Sequence, residues 1–180
     1  MAILAVTITL LTGSVLLAHP SGPQDPQGKG TMALRHAVLS REPFKKMPPA
    51  AAGTVRAVVY DWNVGSGVAT LVAFEDGTTS VYLSTGGGII GTGSHESVKR
   101  AAAAFRNEAA RLRSRFTPAE AFPLPESGES RFYLVTDAAT LQSAALSEAE
   151  LKGDGHPLHK LARLGQDVIS AVREASPRRK

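Results

Sequence analysis

Val68-Ala69-Thr70-Leu71-Val72-Ala73-Phe74-Glu75-Asp76-Gly77-Thr78-Thr79-Ser80-Val81-Tyr82-Leu83 decides the fold. Two β-prone runs, Val68 to Phe74 and Thr79 to Leu83, flank Asp76-Gly77. An Asp-Gly pair at such a junction supplies the positive φ that a tight hairpin turn requires, so the stretch predicts two antiparallel strands. Upstream, Thr54 to Tyr60 is a third β-rich run, and Asp61 to Gly67 reads as the turn cluster that ends it.

Downstream of the hairpin, Ser84 to His95 contains five glycines between a strand and a helix. Ser94 is the expected helix cap, with Glu96 complementing the helix dipole. Val98, Ala102, Phe105, Ala109, Leu112 and Phe116 then recur at spacings of four and three, which draws one buried helical face. Pro118, Pro123 and Pro125 end the helix and carry an extended segment to a strand at Arg131 to Thr136. A turn at Asp137 to Ala139 and a weaker strand at Thr140 to Ala145 follow. After a polar connection, Leu158, Leu161, Leu164, Val168, Ile169 and Val172 share one side of a last helix, with Pro157 in its first turn.

The expected fold is therefore α+β: a two-layer sandwich of a mainly antiparallel sheet of about five strands with two amphipathic helices on one face, in the order β-ββ-α-ββ-α. This element order over residues 54–174 is similar to that of profilin-like, longin-like and roadblock-like domains, although a roadblock domain's leading helix has no clear counterpart here. The resemblance implies a dimerisation or regulatory platform.

Four segments follow along the 180 residues: an apolar N-terminal stretch at 1–18, a disordered linker at 19–53, a single domain at 54–175 and a basic tail at 176–180. The uncharged run Ala2 to Ala18 has no preceding Lys or Arg, while Lys29, Arg35, Arg41, Lys45 and Lys46 follow it, and Leu16 sits where a signal-peptidase site prefers a small residue. This favours a cytoplasmic domain whose N-terminal stretch is an extension, with starts at Met32 or Met47 as options, over a membrane-anchored or exported one.

The absence of cysteine excludes disulfides, thiol catalysis and thiolate metal sites. The pI of 9.6 is an end effect. Residues 1–46 carry five Lys/Arg against two Asp/Glu, residues 47–177 carry twelve against fourteen, and the last three residues are all basic. A slightly acidic domain argues against nucleic acid as a partner.

Ser84, Thr85, Gly86, Gly87, Gly88, Gly91, Thr92, Gly93, Ser94 and His95 are the expected ligand or partner contacts. Backbone amides of a glycine loop that opens a helix can cradle a nucleotide or another anion. Against this, the loop follows a hairpin rather than a βαβ strand, and the phosphate-loop Lys is missing. Ile89 and Ile90 between the glycines also suit a short strand or an exposed apolar patch.

Ser94, His95 and Asp61 form a weak hydrolase pattern without a nucleophile elbow. Asp154, His156 and His159 have metal-binding chemistry but too few ligands, so no metal, cofactor or catalytic residue is expected. Of the basic residues of the first helix, Lys99, Arg106 and Arg113 edge its apolar stripe while Arg100, Arg111 and Arg115 fall on the far side, a split charge that suits a solvated face or an acidic partner. Trp62, the one tryptophan, fits the edge of the core or an interface. Together these features describe a non-catalytic interaction or regulatory module, homodimeric or binding a protein partner, with a small-ligand-binding protein as the alternative.

Overall fold

The computed structural model describes residues 28–153 and 155–176. It is an α+β fold built on one open, eight-stranded antiparallel sheet, larger than the five strands expected. The central strands are β1 (Ala57–Asn63), β2 (Val68–Phe74), β3 (Thr79–Leu83) and β6 (Glu129–Val135), and the short ones are β4 (Gly88–Ile89), β5 (Thr117–Pro118), β7 (Thr140–Gln142) and β8 (Leu146–Ser147). Their order is β4-β3-β2-β1-β6-β7-β5, with β8 paired to the far half of β6.

The Asp-Gly hairpin forms as the sequence predicts. Ala69 lies opposite Leu83 and Ala73 opposite Thr79, while Gly77 takes φ 86° in the turn. Asp76 caps that turn by accepting from the Thr78 amide at 2.8 Å. The first strand, by contrast, runs three residues past the expected boundary, so Asp61, Trp62 and Asn63 pair with β2 instead of forming a turn. Alternation then sends Asp61 to one face and Trp62 to the other, and each has a neighbour that makes a strand position favourable.

One face is covered by α2 (Glu96–Arg111) and α4 (His159–Ala175), which pack on each other and on the sheet. All six positions of the predicted α2 stripe are buried, as are five of the six on α4, with Leu164 half-buried. They meet Val58, Tyr60, Leu71, Phe132 and Leu134 in the larger core cluster. Gly165 lets α4 come close: a Cβ there would lie 2.8 Å from a Tyr60 ring carbon.

The opposite face is covered too, which corrects the two-layer expectation and the linker assigned to residues 19–53. Within that span, α1 (Lys29–Leu39) and a 3₁₀ turn at Glu42–Lys46 fold onto the sheet. Val38, Leu39 and Phe44 join Val59, Val72, Tyr133 and Val135 in a second, smaller core. The folded body thus begins well before Thr54, and a helix does precede the first strand. The Pro-rich segment after α2 lies on the same side, with Ala119 and Phe122 packed against this core.

A further helix, α3 (Glu148–Lys152), occupies the expected polar connection. Ser147 and Glu150 form a reciprocal capping box around its first turn, a Ser-x-x-Glu signal present in the sequence. Among the described residues, no helix is long and apolar enough to cross a membrane. The apolar run at 2–18, the basic tail from residue 177 and Asp154 lie outside the described residues.

Candidate functional site

The glycine-rich loop is held tightly to its own sheet. Leu83 donates to the Gly87 carbonyl and Gly86 to the Leu83 carbonyl, closing a turn in which Gly86 and Gly87 have φ 101° and 82°. Gly88 then pairs with Tyr82 in β4, and a Cβ on it would lie 2.3 Å from the Val81 carbonyl oxygen. Of Ile89 and Ile90, the first takes the short-strand option, in β4, and the second is exposed just beyond it.

Thr92 donates its hydroxyl to the Thr79 carbonyl at 3.1 Å, and the Gly91 amide reaches the Ser80 hydroxyl at 3.3 Å. Gly93 approaches the Thr78 backbone so closely that a Cβ would sit 2.7 Å from its Cα. Ser84 uses its hydroxyl to accept from the Val68 amide at 2.8 Å, and Gly28 at the start of α1 lies against the Ser84 carbonyl. Thr85 borders Gly67 on the outer side of the same turn. His95, not Ser94, is the N-cap of α2, and no side chain bonds the free amides there. A 3₁₀ turn at Thr92–Ser94 displaces the expected cap by one residue.

The residues of the hydrolase pattern do different work. Asp61 is fully buried beneath α1, where one carboxylate oxygen accepts from Arg35 Nε at 2.9 Å and Nη2 at 2.6 Å. Its other oxygen accepts from the Thr70 hydroxyl at 2.5 Å. Burial pushes the Asp61 carboxyl above its ordinary range, and the charge and hydrogen bonds of Arg35, then Thr70, pull it back. Both oxygens are committed, so Asp61 is not available to orient His95, which is exposed at the start of α2.

Arg35 also donates to the Phe122 and Pro123 carbonyls at 3.0 and 3.3 Å, and Tyr133 donates to Pro123 at 2.9 Å. One guanidinium therefore fastens α1, β1 and the Pro-rich segment together. No periodicity in the sequence reports this site, because Arg35 and Asp61 lie in segments that read as linker and turn.

Several arginines in and just after α2 bond within the fold. Arg106 donates to the Phe74 and Glu75 carbonyls at 2.8 and 2.7 Å, and Arg113 to the Gly53 carbonyl at 2.6 Å. Arg111 and Lys160 both bind Glu108, whose carboxyl is held down to about 2, chiefly by the Arg111 hydrogen bond against the cost of burial. Among the described residues no group of three metal-ligating side chains occurs. His156 Nδ1 accepts from the Leu158 amide at 3.1 Å, and His159 Nδ1 lies 2.6 Å from the Leu151 carbonyl.

The site best furnished for recognition is on the α2/α4 face, where that face opens beside the end of β1. Phe132, Tyr60 and Trp62 form a stack of three rings, with centroid separations of 4.4 and 5.1 Å and interplanar angles of 10° and 27°. Tyr60 and Trp62 are two apart on β1 and share a face, and Phe132 is the cross-strand partner of Tyr60. Phe132 and Tyr60 are buried, whereas Trp62 is half-buried, packing against the core on one side.

Tyr60 and Trp62 wall a cleft of about 400 Å³ that α3 and α4 complete. Burial raises the pKa of the Tyr60 hydroxyl, and the polar side chains of Ser130 and Gln166, which also line the cleft, oppose that shift. Glu148, Lys152, His159 and Arg163 supply the charged and titratable rim. Trp62 thus fits the core-edge reading of the sequence and also faces the cleft. The other members come from β1, β6, α3 and α4, and nothing in their spacing announces that they meet.

No family model matches this chain, and neither curated proteins nor solved structures provide a significant match.

Proposed function

We propose that this protein is a non-catalytic binding module whose recognition surface is the cleft walled by Trp62. The observation that carries the reading is the position of that residue: the chain's one tryptophan ends a three-ring stack and faces a concavity lined by hydrogen-bonding and charged groups. Binding sites combine such an apolar platform with a few placed polar groups. The reading moves recognition away from residues 84–95, whose glycines are accounted for by turns and close backbone contacts. The suspected triad does not support a catalytic reading, since its carboxylate, Asp61, serves Arg35 and Thr70.

Trp62 supplies its own reporter. In a nitrogen-15 correlation spectrum its indole N–H gives one peak, and the Gln166 side-chain amide gives a second probe of the same cleft. A fragment library should contain compounds that shift both peaks saturably. If hits cluster elsewhere and leave both unmoved, the cleft is not the recognition surface.

A second reading, self-association through the β4 edge, rests on Ile90, which is 64 % exposed directly after that two-residue edge strand. Light scattering should then show a mass that rises with concentration and returns to that of a monomer in Ile90→Lys. A wild-type protein that stays monomeric throughout ends this reading.

A further inference from the structure

We infer that the ligand class for this cleft is a planar aromatic monoanion, its ring laid on Trp62 and its carboxylate paired with Arg163; this rests on the cleft being the recognition surface. The ring follows from the stack. Phe132, Tyr60 and Trp62 are layered with small interplanar angles, and the outermost layer is an indole, the side chain with the largest π-face. A flat ring placed on Trp62 continues that layering, and a cleft of about 400 Å³ accommodates one or two fused rings with a substituent.

The charge follows from an inventory of the rim. Lys152 and Glu148 neutralise each other across a 2.9 Å ion pair one helical turn apart on α3. Arg163 is exposed on α4 and has no ion pair among the described residues, so it is the uncommitted charge facing the cleft. A cationic ligand would also be drawn to an indole face, but Arg163 would repel it, and the one carboxylate on the rim is already paired. A polyanion would need more than one uncommitted cation. One ring and one negative charge match both features, and a guanidinium is suited to the two oxygens of a carboxylate.

The test uses the full chain, with 2-naphthoate as probe and its neutral isostere 2-naphthamide as control, followed through the Trp62 indole N–H. Naphthoate should bind saturably and about tenfold more tightly than naphthamide, the increment expected from one charge-assisted pair. In Arg163→Gln, an exposed change that leaves the core intact, naphthoate should fall to the affinity of naphthamide. Equal affinity of the two probes in the wild type, or an unchanged preference in Arg163→Gln, overturns the assigned ligand class while the cleft keeps its role. If neither probe moves Trp62 whereas other fragments do, the ligand class again fails alone. If no fragment moves Trp62, the cleft reading and this inference fall together.

Discussion

The two faces of the sheet are closed by different means. On the α2/α4 side, two amphipathic helices bury a continuous apolar stripe, and no single residue holds the assembly. On the α1 side, a smaller apolar cluster is supplemented by one buried network in which Arg35, Asp61, Thr70 and Tyr133 join α1, strands β1, β2 and β6, and the Pro-rich segment. Apolar burial is additive over many contacts, so its loss is graded. A buried ion pair concentrates its effect, since removing one partner leaves a charge with neither water nor counter-ion. The first arrangement is redundant and the second is all-or-none.

The comparison is broken most directly at Arg35. Arg35→Ala should destabilise the protein by about 3–5 kcal/mol in urea unfolding, because Asp61 stays buried without its partner. The double variant Arg35→Met with Asp61→Leu should recover most of that loss. If Arg35→Ala costs under about 1 kcal/mol, the α1 face is not clamped as described. Hydrogen exchange sharpens the result: in Arg35→Ala the amides of α1 should lose protection while those of α2 and α4 keep theirs.

Leu161 is the matching probe on the other face. It is fully buried, and Leu161→Ala should cost about 2–5 kcal/mol through a cavity that neighbouring side chains partly refill. Here exchange protection should fall across the whole sheet and both helices, and a loss confined to α4 would contradict a shared core.

A smaller effect is expected at Gly165, where α4 crosses Tyr60. An added methyl would overlap the ring and cost about 1–3 kcal/mol, offset in part by alanine's better helix propensity of about 1 kcal/mol. Gly165→Ala should therefore be mildly destabilising and should shift the Trp62 indole peak, since the ring it presses is stacked on Trp62. A stabilised protein with an unmoved peak would show that α4 stands further off.

The smallest effect concerns pH. Glu108 has its carboxyl lowered from 4.5 to about 2 by Arg111 and Lys160. A carboxylate depressed on folding contributes stability that is complete above its unfolded pKa and is lost as the pH falls through its folded value. That contribution should disappear between about pH 4.5 and 2. Glu108→Gln should cost about 1 kcal/mol at neutral pH, a modest amount because Arg111 and Lys160 are themselves largely solvated. Its acid unfolding limb should be correspondingly shallower, and an identical limb in both proteins would assign the acid sensitivity elsewhere.

Legibility followed the same division. The stripes Val98 to Phe116 and Leu158 to Val172 were readable because a helix buries whatever recurs at 3.6 residues. The Asp-Gly hairpin was readable because its turn needs a conformation that few residues adopt. Helix α1 was not, since its covered side includes Thr31 and Arg35 among the apolar positions, and a stripe so interrupted has no clean period. The same holds for the extension of β1 through Asp61, a residue that strands disfavour unless a partner reaches it. The α3 cap at Ser147 and Glu150 was present as a local signal, although it points to a helix and not to a cleft. Trp62 stood out as a residue, but its partners Gln166 and Arg163 lie a hundred positions away.

By itself, then, the sequence determined the antiparallel hairpin at Asp76-Gly77, the two apolar helical stripes and the α+β class, because each follows from residues within a few positions of one another. Only the tertiary structure decided that both faces of the sheet are covered, that Asp61 belongs to Arg35 instead of to a catalytic group, and that Trp62 shares a cleft with α3 and α4. Those outcomes depend on groups distant in the chain meeting where water is excluded. Charge compensation and ring stacking act through space, and they leave no period along the chain.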